Sequence, residues 1–268
     1  MKLKVLSVPY LVWMVIFILV PLLMVAYFAF TNDNGEFTIQ HVSDVGQYAN
    51  IFVRSIYLSL IATAICLVIA YPISFMLSRM EKHKQGTMLM IFMLPMWMNF
   101  LLRTYAWMTL LGNNGIINNL LGFVGLGPYK LINTSGAVVL GMVYNYLPFM
   151  ILPLYSVMEK IDKSVIEAAA DLGCNFPRIL FKVIVPLSLP GITSGITMVF
   201  VPALSTFIIS RMLGGGSNLL IGDLIEMQFL GNSYNPHLGA AISMVLMAIV
   251  LVIMTVMNQF SPDDQVLI

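Results

Sequence analysis

Charged side chains make up only 9% of this 268-residue chain, so the few that fall near apolar segments are where chemistry is to be sought. Asp223 and Glu226 stand three apart in NLLIGDLIEMQFLG, a spacing that puts both carboxylates on one face of a short helix. Two acids so placed draw cations toward an entrance; the plainer readings are two solvated acids, or contacts to a docked protein. Arg103 is the one charge well inside an apolar stretch, and an ionisable group there is a functional candidate by default. A cation is a poor lining for a cation path, so a structural ion pair across a subunit interface is the expectation for Arg103, with outward snorkelling as the other reading. Trp97, Tyr105, Trp107, Tyr144 and Tyr146 offer aromatic faces that hold a cation weakly, at roughly 0.5–2 kcal/mol each, or else pack and anchor at an interface. Methionines crowd at Met88, Met90, Met93, Met96 and Met98. Soft-metal transport would need paired Cys or His beside them, and adaptable thioethers also suit helix faces that repack. No metal site is expected.

The same inventory weakens two function classes. The apolar segments hold no Asp or Glu and no paired His or Cys, so a membrane-embedded enzyme lacks its catalysts. No GxxxxGK[ST] loop is present, and the glycines 214–216 lack its lysine, so the chain is expected to bind no ATP and no other cofactor of its own. A net charge of +1 without a basic cluster gives no reason to expect nucleic-acid binding. Cys66 lies in an apolar segment and Cys174 in a polar loop, too far apart by topology for a disulfide.

The elements that position these residues follow from hydropathy. With 59% hydrophobic residues and a mean hydropathy of +0.92, the chain carries more apolar surface than a soluble domain of its size hides. Uncharged runs long enough to cross a bilayer predict six transmembrane helices at about 9–30, 55–78, 87–111, 135–158, 183–210 and 237–260, an all-α integral membrane protein with one domain over 1–268. Residues 104–129 carry too much Asn and Gly for a further span and read as an outer loop with at most a short interfacial helix. Lys2, Lys4, Arg79, Lys82, Lys84, Lys160, Lys163, Arg178 and Lys182 fall on one side, against Arg54, Arg103, Lys130 and Arg211 on the other. The positive-inside bias then puts both termini in the cytoplasm. The first apolar run reaches Phe30, longer than a signal-peptide core, and is expected to be retained. Prolines at Pro21, Pro72, Pro95, Pro148, Pro153, Pro186, Pro190 and Pro202 remove backbone donors and kink helices, leaving room for cavities. No internal repeat supports an inverted-repeat carrier.

The longest inner loop, 159–182, is built as two small helices. Ser164 and Glu167 have capping-box spacing, Ala168, Ala169 and Ala170 favour helix and leave a shallow face in a body that runs from Val165 to Leu172 and includes Asp171, and Gly173 supplies the left-handed residue that ends it. Asn175 is placed to cap a second helix in which Pro177 sits in the first turn. Phe176, Ile179, Leu180 and Val183 give it an apolar stripe, and Pro186 is expected to mark the bend into the fifth span. An amphipathic loop lying at the headgroups is the other reading. The near balance of Glu159, Asp162, Glu167 and Asp171 with Lys160, Lys163, Arg178 and Lys182 disfavours it, because membrane-surface helices run net basic.

The run Glu167, Ala168, Ala169, three residues, Gly173, nine residues, then Val183, Ile184, Val185, Pro186 resembles the EAA loop of type I ABC importer permeases, with Val183 and Val185 in place of the commoner Ile and Leu. LLRTYAWMTLLGNNGIINN from Leu101, YLPFMILPLYSVMEKIDKSVIEAAADLG from Tyr146 and GGGSNLLIGDLIEMQF from Gly214 extend the likeness to permeases of spermidine/putrescine importers, from the second span onward. The resemblance implies the type I ABC importer permease fold in a bacterial inner membrane. It implies a second, homologous permease, two copies of an ABC ATPase that bind ATP and Mg²⁺, and an extracytoplasmic polyamine-binding protein. It also implies that Ser164, Glu167, Ala168, Ala169, Ala170, Asp171, Gly173, Phe176 and Pro177 form the ATPase-coupling surface. Asp223, Glu226, Trp97, Tyr105, Trp107, Tyr144 and Tyr146 become candidates for the substrate path. A permease for another small solute of the same class, or a stand-alone channel or carrier, are the alternatives.

Overall fold

The computed structural model describes residues 8–216, 218–231 and 233–259. Lys2, Lys4 and the last residue expected in the sixth span, Phe260, lie outside the described residues. Among the described residues, four helices are long and apolar enough to cross a membrane, or up to six if each of two bent pairs is one span. They are α1 (Pro9–Ala29), α2 (Ala49–Arg79), α6 (Ser135–Met158) and α12 (Pro236–Gln259). The bent pairs are α3 (Lys82–Trp97) with α4 (Phe100–Leu111), which continues toward the short α5 (Ile116–Phe123), and α8 (Phe176–Leu187) with α9 (Leu189–Ser205). Further short helices among the described residues are α7 (Lys163–Asp171) between α6 and α8, then α10 (Ile208–Gly214) and α11 (Ile221–Leu230) before α12, while a short helix Gln40–Asp44 and a 3₁₀ turn Val45–Tyr48 lead into α2.

The third and fifth spans expected from hydropathy are therefore not straight crossings. α3 and α4 meet at 84° because Asn99 starts a new helix, its side-chain oxygen accepting from the Leu101 and Leu102 amides at 2.9 and 3.3 Å. α8 and α9 meet at 69° around Ser188, where Pro190 in the first turn of α9 has no N–H with which to continue the ladder. The bend thus sits at Ser188 rather than at Pro186, as the sequence suggested. Pro186 has a different effect: a wider π turn, Leu180–Ile184, ends two residues ahead of it, as Val15–Leu19 does ahead of Pro21 in α1. Both absorb a missing proline amide without breaking the helix.

α2, α6 and α9 form the centre. Their core includes Cys66, Ala70, Leu77, Met150, Ile151, Leu154, Met158 and Val199. Gly191 and Gly195 give α9 a small-residue stripe against α6: a Cβ at Gly195 would stand 2.6 Å from the Met150 sulfur, and one at Gly191 3.0 Å from the Pro153 carbonyl. Ser74 of α2 donates to the Ile151 carbonyl of α6 at 3.2 Å. The Tyr146 hydroxyl of α6 donates to the Pro202 carbonyl of α9 at 3.3 Å. α12 packs on α1 and α11, while none of the apolar window of α1 is buried. An element so bare belongs against lipid or another subunit.

Candidate coupling loop and translocation path

The root of the loop over residues 159–182 is fastened and its tip is bare. Arg79, at the end of α2, donates to the Ile161 carbonyl just beyond α6 at 3.0 Å and to the Met158 carbonyl at its last residue at 3.5 Å, tying α2 to the loop's origin. Lys82, at the start of α3, is paired with Glu159, and that contact with Lys82 holds the Glu159 carboxyl below its ordinary range. The Tyr155 hydroxyl donates to Gln85 Oε1 at 2.9 Å, while Gln85 Nε2 donates to the Met80 carbonyl at 2.9 Å. Three helices thus hold both sides of the loop's origin.

From there the sequence builds the two-helix hairpin that was expected, with one change. The cap of α7 is Asp162, whose carboxylate accepts from the Ser164 amide at 3.0 Å; Ser164 lies two residues inside the helix from that cap, so it is not the N-cap that the box read between Ser164 and Glu167 requires. A charged acceptor facing the positive end of the helix wins over a hydroxyl. That amide contact draws the Asp162 carboxyl down. At the other end Gly173 takes φ +79°, the Cys174 amide reaches the Ala169 carbonyl at 3.2 Å, and the Gly173 amide reaches Ala170 at 2.9 Å, a Schellman closure. Asn175 caps α8 by accepting from the Arg178 amide at 3.2 Å, with Pro177 in the first turn.

No residue of α7 is buried. Ser164, Glu167, Ala168, Ala170, Asp171, Gly173 and Pro177 are exposed and Ala169 half-buried. Leu172 is 84% and Phe176 57% exposed, although the Phe176 ring also leans on Phe75 of α2 with centroids 6.2 Å apart. Ile179 is buried, so the apolar stripe of α8 is divided, one end seated on the bundle and the other open.

Farther along the bundle, the bend between α3 and α4 gathers some of the aromatic candidates. Arg103 is buried, donates to the Pro95 carbonyl at 2.7 Å, and lies 5.9 Å from the centroids of both Phe100 and Tyr144. It does not snorkel; it ties the two arms of the bend together. Trp107 meets Tyr144 edge-on at 5.3 Å, and Tyr146 is half-buried on the same helix. Trp97 and Tyr105 stand apart from this group, both exposed.

Asp223 and Glu226 do share α11, but neither is a solvated acid. Asp223 is 2% exposed, and its Oδ2 accepts from the Leu220 amide at 2.9 Å, closing the start of α11. Glu226 pairs with Arg211 of α10 at 2.7 Å. Asp162, Arg79, Gln85 and Arg211 are the positioning residues that sequence reasoning missed; only Asp162, standing just ahead of a helical run, carried a local signal.

A sequence profile of the binding-protein-dependent transport system inner membrane components matches residues 70–262. The chain is 40% identical to the spermidine/putrescine transport system permease protein PotB of Haemophilus influenzae, over 89% of this chain and 88% of that one. To the PotB protein of Escherichia coli it is 36% identical, over 87% and 88%. A solved bacterial ABC transporter involved in import of the acidic polysaccharide alginate superposes with a TM-score of 0.78 at 18% identity, covering 98% of this chain and 96% of that one, which shows likeness of fold. The chain therefore belongs to the family of binding-protein-dependent transport system inner membrane components, a multi-pass membrane transport subunit and not an enzyme.

Proposed function

We propose that this chain is one permease subunit of an ATP-driven, binding-protein-dependent polyamine importer. The substrate class rests on the 40% identity to a permease named for spermidine and putrescine. The coupling role is carried by one observation: a hairpin rigidly rooted in α2, α3 and α6 that leaves Leu172 and Glu167 uncovered. A second homologous permease would complete the pathway, two copies of an ABC ATPase holding ATP and Mg²⁺ would each grip one such hairpin, and an extracytoplasmic binding protein would deliver the polyamine. Both termini lie in the cytoplasm in this reading, which the basic residues at Arg79, Lys82, Lys160, Lys163, Arg178 and Lys182 favour.

Closure of the ATPases would carry α7 with them, and the rigid root would pass that displacement to α2, α3 and α6 together. The membrane-crossing helices hold no acid. A polyammonium passing between them would meet aromatic faces such as Trp107 and Tyr144, contacts weak enough to be left again. Selectivity would then lie mainly in the binding protein.

The test is reconstitution with the partner subunits in proteoliposomes. ATP hydrolysis that rises when a polyamine-loaded binding protein is added, together with polyamine uptake, supports the assignment. Uptake by this chain alone, without an ATPase, rejects it in favour of a channel or carrier. Competition between spermidine and putrescine identifies the preferred substrate.

A further inference from the structure

Between α10, the loop that follows it and α11 lies a cavity of about 270 Å³, lined in part by Ser210, Arg211, Asn218, Leu219, Asp223 and Met227. Asp223 Oδ1 is buried there without a hydrogen-bond partner. The neighbouring Ser210 hydroxyl has a single proton, and it goes to the Phe207 carbonyl at 3.0 Å. Asn218 is turned elsewhere, its amide donating to the Gly214 carbonyl at 3.0 Å and its oxygen accepting from Ser135 at 3.1 Å. One turn along α11, Glu226 gives one oxygen to Arg211 at 2.7 Å, and its other oxygen, Oε2, is also buried and unpartnered. Counting Asp223 and Glu226 against Arg211, the group carries one uncompensated negative charge. Two buried acceptors without donors in one small region are costly to leave so.

What the cavity lacks is a compact cation with several N–H donors. A primary ammonium supplies three donors and one positive charge, and Leu219 and Met227 offer apolar wall for the methylenes behind it. The volume lies just below the range of roughly 300–1,000 Å³ typical of drug-sized ligand sites, suited to the end of an alkylamine. A calcium ion would ask for about six to eight oxygen ligands, far more than this wall holds.

We propose that this cavity is a binding site for a primary ammonium group, in which an alkylamine docks on Asp223 and competes with Arg211, the resident cation, for the carboxylates of α11. The proposal deepens the polyamine reading and rests on it for the identity of the physiological amine. Arg211 is the more exposed partner of its pair, 56% against 19% for Glu226, so it is the side chain free to swing away when an incoming ammonium takes its place. Burial, the largest influence on Asp223, pushes its carboxyl up from the ordinary range, and the nearby Ser210 hydroxyl, the Leu220 amide and Arg211 only partly oppose this. A docked ammonium would complete what they leave undone.

The experiment uses the reconstituted transporter with its partner subunits and a hydrophobic carbodiimide that modifies buried carboxyls, the adduct on Asp223 being located by mass spectrometry. Millimolar putrescine, but not the same ionic strength of sodium chloride, is expected to suppress labelling at least ten-fold. Asp223→Asn keeps an oxygen for the Leu220 amide, and Glu226→Gln keeps one for Arg211, so each removes charge while sparing its local contact. Each should lower kcat/KM for putrescine uptake about ten-fold, equivalent to ~1.4 kcal/mol, in complexes that still co-purify with their partners. Arg211→Gln has the opposite sign: it removes the competing cation and should lower the putrescine concentration that half-protects Asp223 several-fold. A merely structural role for the pair does not produce that reversal. No labelling of Asp223, labelling indifferent to putrescine, or unaltered uptake in both charge-neutral variants overturns the site. Protection by putrescine in a wild-type transporter that takes up no polyamine would instead leave the site standing and remove the polyamine assignment.

Discussion

Replacing Leu172 with alanine isolates the apolar part of the contact proposed between the inner hairpin and an ATPase. Leu172 is the residue on which α7 ends, and its side chain is 84% exposed in this chain. The substitution therefore removes almost nothing from the fold itself. If a partner groove covers the side chain, alanine forfeits the three carbons it lacks, at about 0.8 kcal/mol each, scaled by the fraction left to bury, or ~2 kcal/mol. That corresponds to an affinity for the ATPase about 30-fold weaker. The assay is titration of the purified ATPase onto permease complexes in nanodiscs, with helix content and thermal stability of the permease measured in parallel. An unchanged dissociation constant would show that Leu172 stays in solvent or lipid in the assembly. A loss of permease stability by more than ~0.5 kcal/mol, the spread of ordinary surface substitutions, would show that the side chain is not as bare as the fold leaves it.

Glu167→Lys should abolish polyamine-stimulated ATP hydrolysis while leaving membrane insertion intact, and full uptake in that variant would remove Glu167 from the coupling surface. Gly173→Ala places a Cβ in open space but at φ +79°, so only backbone strain of ~1–2 kcal/mol is expected; faster amide exchange at Gly173 and Cys174, without change in α6, is the check. Gly195→Ala drives a Cβ to 2.6 Å from the Met150 sulfur and should destabilise the α6–α9 contact by ~1–3 kcal/mol, read as a lower melting temperature. Met150→Ala should relieve part of that loss in the double variant. The Lys82–Glu159 clip is pH-dependent with a definite sign. The folded carboxyl is drawn below its ordinary value of 4.5, so its contribution is complete above that value and is lost as the pH falls through the lower, folded one. Proteolysis at the hairpin root should therefore be flat from pH 6 to 8, an interval well above that carboxylate range, and should accelerate only in acid.

The sequence made some elements plain because their cause is local. α2 and α6 follow from uncharged runs bounded by Arg54, Arg79, Lys130 and Glu159, and Gly173 ends α7 because a left-handed residue there is cheap only for glycine. The bends were hidden for the opposite reason. MLPMWMNFLL reads as one apolar stretch, and hydropathy does not register that Asn99 turns its side chain onto the amides ahead of it. Ser164 and Asp162 were rival caps two residues apart, and pattern alone did not rank a hydroxyl against a carboxylate. Asp223 and Glu226 were correctly placed on one helix. Their burial depends on α10 folding back over α11, a tertiary fact with no local trace.

A lever that passes movement between polypeptides must be stiff at its origin and unfinished at its tip, and the two demands call for different chemistry. At the root, neighbouring helices are joined through polar groups: the Met158 and Ile161 carbonyls at and just beyond the end of α6 take Arg79, and Gln85 is held from both sides by Tyr155 and Met80. Such contacts resist shear because losing any one strands a polar group. At the tip, α7 gains its shape from its own caps, Asp162 and Gly173, and so needs no tertiary cover to stay helical. Its surface is left free to be completed elsewhere. If caps and clamps are separable in this way, weakening the root with Arg79→Gln should leave ATPase binding to α7 intact yet reduce transport per ATP hydrolysed. Weakening the tip with Leu172→Ala should reduce binding and transport in proportion. Equal loss of binding in both variants would show that the hairpin is held as one piece by its partner, and that the root has no separate part in transmission.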